Sequence, residues 1–338
     1  MRDLEINRLP APTWRWLKVN SENVKLPDAF AAAEQEAELS GVKTDDAAEV
    51  KAAEVSGLGE AFAAAVGSPE IPVSRFLADG PEGRLHIKNH FHETGSIARE
   101  EILAKEKTKL LVIMEADGSA EMAAHDIRFR VEKDAEVTLV EVLRLDGESA
   151  FLDGVFADVA DNAVFRLIQV VIGGKKNWLG EDIRLAGKES KAENDIGYLL
   201  DEDKLLDVNA VVRHTGKQTE SRVGISGVVD GRAKKTFRGT LDFIRGASGA
   251  KGEVRDNVLL MSDKVQNRTI PLILCGEEDV EGEHGATIGK ISDETLFYFE
   301  SRGIPEEEVN RLMARSMVDQ VIGRIPDEEL RRSLLEEE

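Results

Sequence analysis

The chain is short of cysteine, of aromatic residues and of basic charge, and it has no long apolar run. One cysteine, Cys275, in 338 residues excludes an internal disulfide and a complete thiolate metal site within one chain. If that thiol binds metal, the other ligands come from other residue types, a second chain or a small molecule. Aromatics are 5% of the residues, too few for a platform that stacks bases or sugars. No stretch approaches the roughly 18 apolar residues that span a bilayer. The opening residues, MRDLEINRLP, carry charges and a proline where a signal peptide has its apolar region, so a cytoplasmic protein is expected. Lysine and arginine number 44 against 65 acidic residues, a net charge of −21, so nucleic acid and anionic membrane are excluded as main partners by repulsion.

What is present describes a globular protein with a substantial core: 41% apolar and 32% charged residues. Residues 1 to 27 read as irregular, with Trp14 and Trp16 as anchors onto the body. From Asp28 to Val66 the chain is rich in Ala and Glu, strong helix formers, with Gly41, Gly57 and Gly67 as stops. Two or three helices are expected there, as a solvated hairpin or a docking arm. From Leu85 the texture changes to short β-prone runs such as LHIKNHF, KLLVIME, EVTLVEVL, VFRLIQVVI and TIPLILC, with no long helical period between Lys107 and Cys275. An antiparallel sandwich and a parallel β-helix both fit. Frequent glycine, suited to tight corners, and the lack of longer loops favour the β-helix.

After Ile291 helices return. Ser292 is a good N-cap, Gly303 a stop, and Pro305 opens a second helix with Val309, Leu312, Met313, Met317 and Val321 on one face. A third starts at Pro326. The division is thus an N-terminal helical region (1–84), a β core (85–290) and a C-terminal helical region (291–338).

Few residues declare chemistry. His86, His90 and His92 lack a completing ligand pattern and read as strand-edge residues. GASGAKGE, from Gly246, and GGKKN, from Gly173, lack the order that cradles phosphates and read as turns. Asp153, Asp158 and Asp161 could mimic the acids of a β-helix polysaccharide lyase or hydrolase, but read as solvated corners. No Gly-x-Ser-x-Gly elbow is present. The stretch Asn267 to Ile304, NRTIPLILCGEEDVEGEHGATIGKISDETLFYFESRGI, holds the lone thiol and His284. Thiolate binds iron well, and imidazole can replace thiolate at an iron–sulfur cluster. A small apolar core residue and a turn-bonding imidazole are the alternatives.

That stretch resembles the C-terminal signature of the SufB/SufD family, scaffold subunits of the sulfur-mobilisation machinery for iron–sulfur clusters. Asp279-Val280, His284-Gly285-Ala286-Thr287, Gly289, Leu296-Phe297-Tyr298 and Ser301-Arg302-Gly303-Ile304 carry the likeness, which covers roughly Val223 to Val321. The short length is similar to that of stand-alone SufB-like members. The resemblance implies a mainly β fold, a right-handed parallel β-helix flanked by N-terminal and C-terminal α-helical regions. It implies a non-enzymatic scaffold, a homodimer joined at strands near the C-terminus, and a SufC-like ABC ATPase partner that hydrolyses the ATP. The ATPase would bind around Leu296, Phe297, Tyr298, Arg302, Gly303 and Ile304. The cargo would be a transient cluster of [4Fe-4S] type, with candidate ligands Cys275, His284 and Glu283; a chain with no tightly bound cluster is equally compatible. Gly285 departs from the second glutamate of SufB's Glu-His-Glu, and Asp256 stands where SufB has a cysteine. A SufD-like structural subunit, binding the ATPase but no cluster, is therefore the alternative.

Overall fold

The computed structural model describes residues 2–13, 15–48, 50, 56–68 and 70–336. The short β-prone runs read from Leu85 onward fold as a parallel β-solenoid, mostly strand, with helices mainly towards the chain ends. One wall is built from Ser74–Ala78, Gly95–Ala104, Met122–Val131, Ala150–Val159, Lys176–Leu185, Leu205–His214, Lys234–Phe243 and Gln266–Cys275. The facing wall is built from Glu82–Phe91, Lys109–Gly118, Glu136–Leu145, Val164–Val171, Lys191–Leu200, Glu220–Val229, Ala250–Leu260 and Val280–Gly289. The chain alternates between the walls, so each strand pairs in parallel with those one coil before and after it.

Register places like with like. Ile102, Phe129, Ala157, Ile183, Val212 and Leu241 stack as one buried column on the first wall, and Leu85, Val112, Leu139 and Leu167 as another on the second. Each Val, Leu, Ile or Phe side chain in these columns contributes about 1.5–3 kcal/mol by leaving water. At the solvent-facing end of the second wall, Lys109, Glu136, Lys191, Glu220, Lys251 and Glu281 belong to one ladder; Lys191–Glu220 and Lys251–Glu281 close at 2.8 and 2.9 Å. Such pairs add a few tenths of a kcal/mol each, but a slip of one residue would lose them all.

The corners differ from the glycine-rich expectation. At one of them the left-handed position is occupied in successive coils by Lys107, Asp134, Asn162, Glu189 and Gln218, and by glycine only at Gly249. Each donates its N–H to a carbonyl of the next coil, for example Asn162 to Lys188 at 2.9 Å, which offsets the conformational cost. Glycine is required where coils crowd: a Cβ on Gly187 would lie 2.0 Å from the Asp161 nitrogen.

Both outer faces are covered. A hairpin of Arg2–Ile6 and Glu22–Leu26, with the short helix α1 (Glu60–Val66), packs Ile6, Leu26, Phe62 and Val66 onto Ile97, Leu152 and Trp178 of the first wall. Buried Arg238 pins this segment by donating to the Val19 carbonyl and to Asp207, both at 2.6 Å. Towards the C-terminus follow α2 (Asp293–Glu300), α3 (Glu306–Ile322) and α4 (Glu328–Glu336). Val321, Ile322 and Leu334 pack on Ile113, Val140, Ile168 and Val170 of the second wall. Arg324 reinforces this at 2.6 Å from Asp195, as does Arg84 at 3.1 Å from Asp327.

Three local expectations fail. Glu34–Ser40 is not helical but pairs antiparallel with Glu82–Phe91, because an open edge offers backbone hydrogen bonds that outweigh the local helix propensity of Ala and Glu. Within Asp28–Val66 the described residues form one helix, α1; residues 49 and 51–55 of that stretch lie outside the described residues. Trp16 is 73% exposed rather than buried as an anchor on the body, while Trp14 lies outside the described residues.

Candidate functional site

The two ends of the solenoid are finished differently. The edge strand Glu34–Ser40 exposes Glu34, Glu36 and Glu38, charges that discourage strand addition. At the other end Gln266–Cys275 and Val280–Gly289 are each paired on one side only. Nearly every residue of the latter is exposed, and Thr269 to Cys275 of the former carries no charge.

Register shows what those last strands present. Cys275 continues the column Ala104, Val131, Val159, Leu185, His214 and Phe243, every one of them fully buried. His284 continues the column of Leu85, Val112, Leu139, Leu167, Asn194, Val223 and Val254 on the facing wall. Both are core positions left exposed because no coil follows. The mouth they border is lined by Phe243, Ile273 and Gly282; a Cβ on Gly282 would lie 3.0 Å from Ile273 and 3.1 Å from Phe243.

Glu283 is placed elsewhere. It stands in register with Glu253 on the outward face and borders an open trough of about 530 Å³ with Arg222, Glu253, Arg255 and Glu281. No hydrogen bond or ion pair joins it to Cys275 or His284 among the described residues. Of the residues expected to meet the ATPase, Phe297, Tyr298, Arg302 and Gly303 are exposed, and Leu296 and Ile304 are half-buried. The Arg302 guanidinium lies 4.5 Å from the Tyr298 ring centroid, Gly303 ends the segment with φ at 83°, and Phe297 is 72% exposed. The expected apolar face of α3 is split: Val309 and Val321 are buried on the body, whereas Leu312 is 46% exposed.

One coil below the mouth lies a buried ion pair. Lys235 donates to Asp256 Oδ2, which also accepts from Thr269 Oγ1 at 2.6 Å. Burial pushes the Lys235 ammonium down, and Asp256 opposes that shift. At the opposite end of the same wall His214 stacks 4.7 Å from Phe243, with its nitrogens 2.7 Å from Thr219 Oγ1 and 2.9 Å from Ser221 Oγ. Burial lowers its pKa to about 4, so it is neutral at physiological pH.

A second polar island, which reading the sequence missed, fills the middle of the solenoid. His125, Glu141 and Asp153 are fully buried, as are Glu100, Gln169 and Asn89. Asp153 is thus no solvated corner; only Asp158 and Asp161 lie towards the surface. Burial alone would push the His125 imidazole down, but the Glu100 and Asp153 carboxylates hold it well above its ordinary value. Burial, with the charge of Asp153, holds Glu141 and Glu181 well above the carboxylate range. The signal was the inward phase of the strands: His125 alternates with Ala123 and Ile127, and Asp153 with Phe151 and Val155. His86 and His90, by contrast, pair singly with Glu115, at 2.8 Å, and with Asp117.

A two-walled parallel solenoid with an uncovered, thiol-bearing end defines the class. The family model described as SUF system FeS cluster assembly, SufBD core domain, matches residues 86–317, more than half of the chain. The chain belongs to this SufBD family of iron–sulfur cluster assembly proteins. It is 34% identical over 122 residues to the iron-sulfur cluster assembly protein SufD of Bacillus subtilis, covering 36% of this chain and 28% of that protein. Over 168 residues it is 29% identical to the chloroplastic SufBD family protein ABCI8 of Arabidopsis thaliana, covering 50% and 30%. Over 233 residues it is 26% identical to the SufBD family protein ML0594 of Mycobacterium leprae, covering 67% and 59%. The chain spans less than two thirds of the length of each of these relatives. Among the described residues no helix is long and apolar enough to cross a membrane.

Proposed function

We propose that the chain is a cytoplasmic, non-catalytic scaffold on which an iron–sulfur cluster is built at the open end of the solenoid and passed on. The observation that carries this is the placement of Cys275 and His284 in exposed core positions on facing walls of an uncovered end. The uncharged edge from Thr269 to Cys275 suits pairing with the same edge of a second copy. An isologous pairing whose axis passes close to Cys275 would bring two Cys275 thiolates and two imidazoles near one another. Two thiolates with weaker nitrogen ligands make a labile site, suited to a [4Fe-4S] cargo that must leave. Glu283, on the outer face, fits a flanking role rather than direct ligation. The exposed turn around Phe297, Tyr298 and Arg302 is the docking surface for a SufC-like ATPase, whose ATP-driven movements would reshape the dimer seam.

A second reading rests on Asp256. It is committed to Lys235 and Thr269, so the position that carries a cysteine in the SufB likeness is here a structural acid. That favours a SufD-like subunit that docks the ATPase and holds no cluster. Anaerobic co-expression of the chain with an ABC ATPase encoded beside it, followed by iron, sulfide and mass analysis of the complex, separates the readings. Iron and sulfide in a complex containing two copies support the scaffold; a complex without them supports the structural subunit.

A further inference from the structure

The polar island at the centre of the solenoid is built in a way that packing alone does not explain. Gln169 Nε2 donates to Glu141 Oε2 and to Asp153 Oδ2, each at 2.8 Å, clamping both carboxylates with one amide. Their other oxygens, Glu141 Oε1 and Asp153 Oδ1, have no hydrogen-bond partner, and neither has His125 Nδ1. These three atoms face one another: Nδ1 lies 3.7 Å from Glu141 Oε1 and 3.7 Å from Asp153 Oδ1. That is too long for a hydrogen bond. It is close to the spacing of ligands around one cation, since a tetrahedral ion with bonds of about 2.1 Å sets its ligands about 3.4 Å apart.

We propose that His125, Glu141 and Asp153 bind one resident divalent metal ion inside the solenoid, separate from any cluster at its mouth. The donor set of one imidazole and two carboxylates suits manganese, iron(II) or zinc. Charge balances, because two carboxylates neutralise a divalent ion. The surroundings supply the outer contacts such a site needs. Gln169 orients both carboxylates, and the unpartnered Glu100 Oε2 lies 3.6 Å from His125 Nε2, a negative charge that favours an N–H on that nitrogen once Nδ1 coordinates. All three ligands are fully buried, so the ion is taken up as the coils wind together and exchanges slowly afterwards.

The test uses the full chain, unfolded with a chelator and refolded anaerobically with Mn²⁺, Fe²⁺, Zn²⁺ or excess chelator, then desalted for elemental analysis. One ion per chain is expected with at least one metal, lost to EDTA far more slowly than it is from solution, with a higher unfolding midpoint than chain refolded in chelator. Glu141→Gln and Asp153→Asn should each abolish the retained ion, whereas Cys275→Ser should keep it. Should the interior variants fail to fold, the wild-type comparison decides alone. No retained metal and identical midpoints would overturn the proposal and leave the island as a proton-sharing network. Loss of the ion in Cys275→Ser would also overturn it, by moving the metal to the mouth.

Discussion

Replacing Lys235 with methionine isolates the energetics of the solenoid just below its open end. The ammonium is fully buried against Asp256, and 5.4 Å from the Phe237 ring centroid. Its removal leaves Asp256 with Thr269 as its one donor and with Oδ1 already unpartnered. An uncompensated buried charge of this kind costs about 3–5 kcal/mol. That is a large fraction of the about 5–15 kcal/mol of a typical domain. Asp256→Leu should cost a similar amount by stranding the ammonium. The double variant Lys235→Met/Asp256→Leu should lie within about 2 kcal/mol of wild type, since neither charge is left unpaired. Urea unfolding of the four proteins closes the cycle, and hydrogen exchange should show Gln266–Cys275 opening first in the single variants, because Thr269 is the last-coil residue tied to Asp256. Single variants within about 1 kcal/mol of wild type would refute the reasoning, showing that the pair is solvated through the mouth. A double variant worse than either single would refute it as well.

Three further outcomes follow from the geometry. His214 is held to a pKa of about 4 against 6.5 unfolded, so the unfolded chain binds the extra proton between those values. Stability from this group is therefore full above pH 6.5 and declines by about 3 kcal/mol as pH falls towards 4; His214→Gln should flatten urea midpoints across that window, and an unchanged slope would contradict it. Ile270→Lys combined with Leu272→Lys should turn a dimer into a monomer by light scattering while moving the melting temperature only a few degrees, and a persisting dimer would place the seam elsewhere. Phe297→Ala should change stability by less than about 0.5 kcal/mol and weaken ATPase binding at least tenfold by calorimetry, about 1.4 kcal/mol; unchanged affinity would free this face from docking.

Much of the architecture was legible because short runs of β-prone residues and the lack of a helical period are direct consequences of strand geometry. Helix α2 was equally plain: Ser292 caps it, accepting from the Thr295 N–H at 3.2 Å. The Ala- and Glu-rich segment was misread because propensity is local, whereas the pairing of Glu34–Ser40 with Glu82–Phe91 is imposed by a distant strand. The stretch around Cys275 stood out by composition, yet its meaning depends on register. Only the columns ending in Phe243 and Val254 show that Cys275 and His284 are core positions laid bare, and that Glu283 points outward. The interior island was harder still. In runs such as VTLVEVL the helices cover one face and the core the other, so both faces are apolar and the inward phase of Glu141 is not apparent. Its partners His125, Asp153 and Gln169 come from neighbouring coils, and adjacency across coils is set by corner lengths rather than by any motif.

The central claim, that the exposed end of the solenoid supports cluster assembly through its lone thiol, is tested most directly by anaerobic reconstitution with iron and sulfide. Wild type and Cys275→Ser should be compared at equal folded concentration, alone and with the partner ATPase, following charge-transfer absorption and bound iron. The expected result is a visible-region cluster spectrum in wild-type dimers that is lost in Cys275→Ser without loss of fold. A serine variant that keeps the full spectrum would contradict the account.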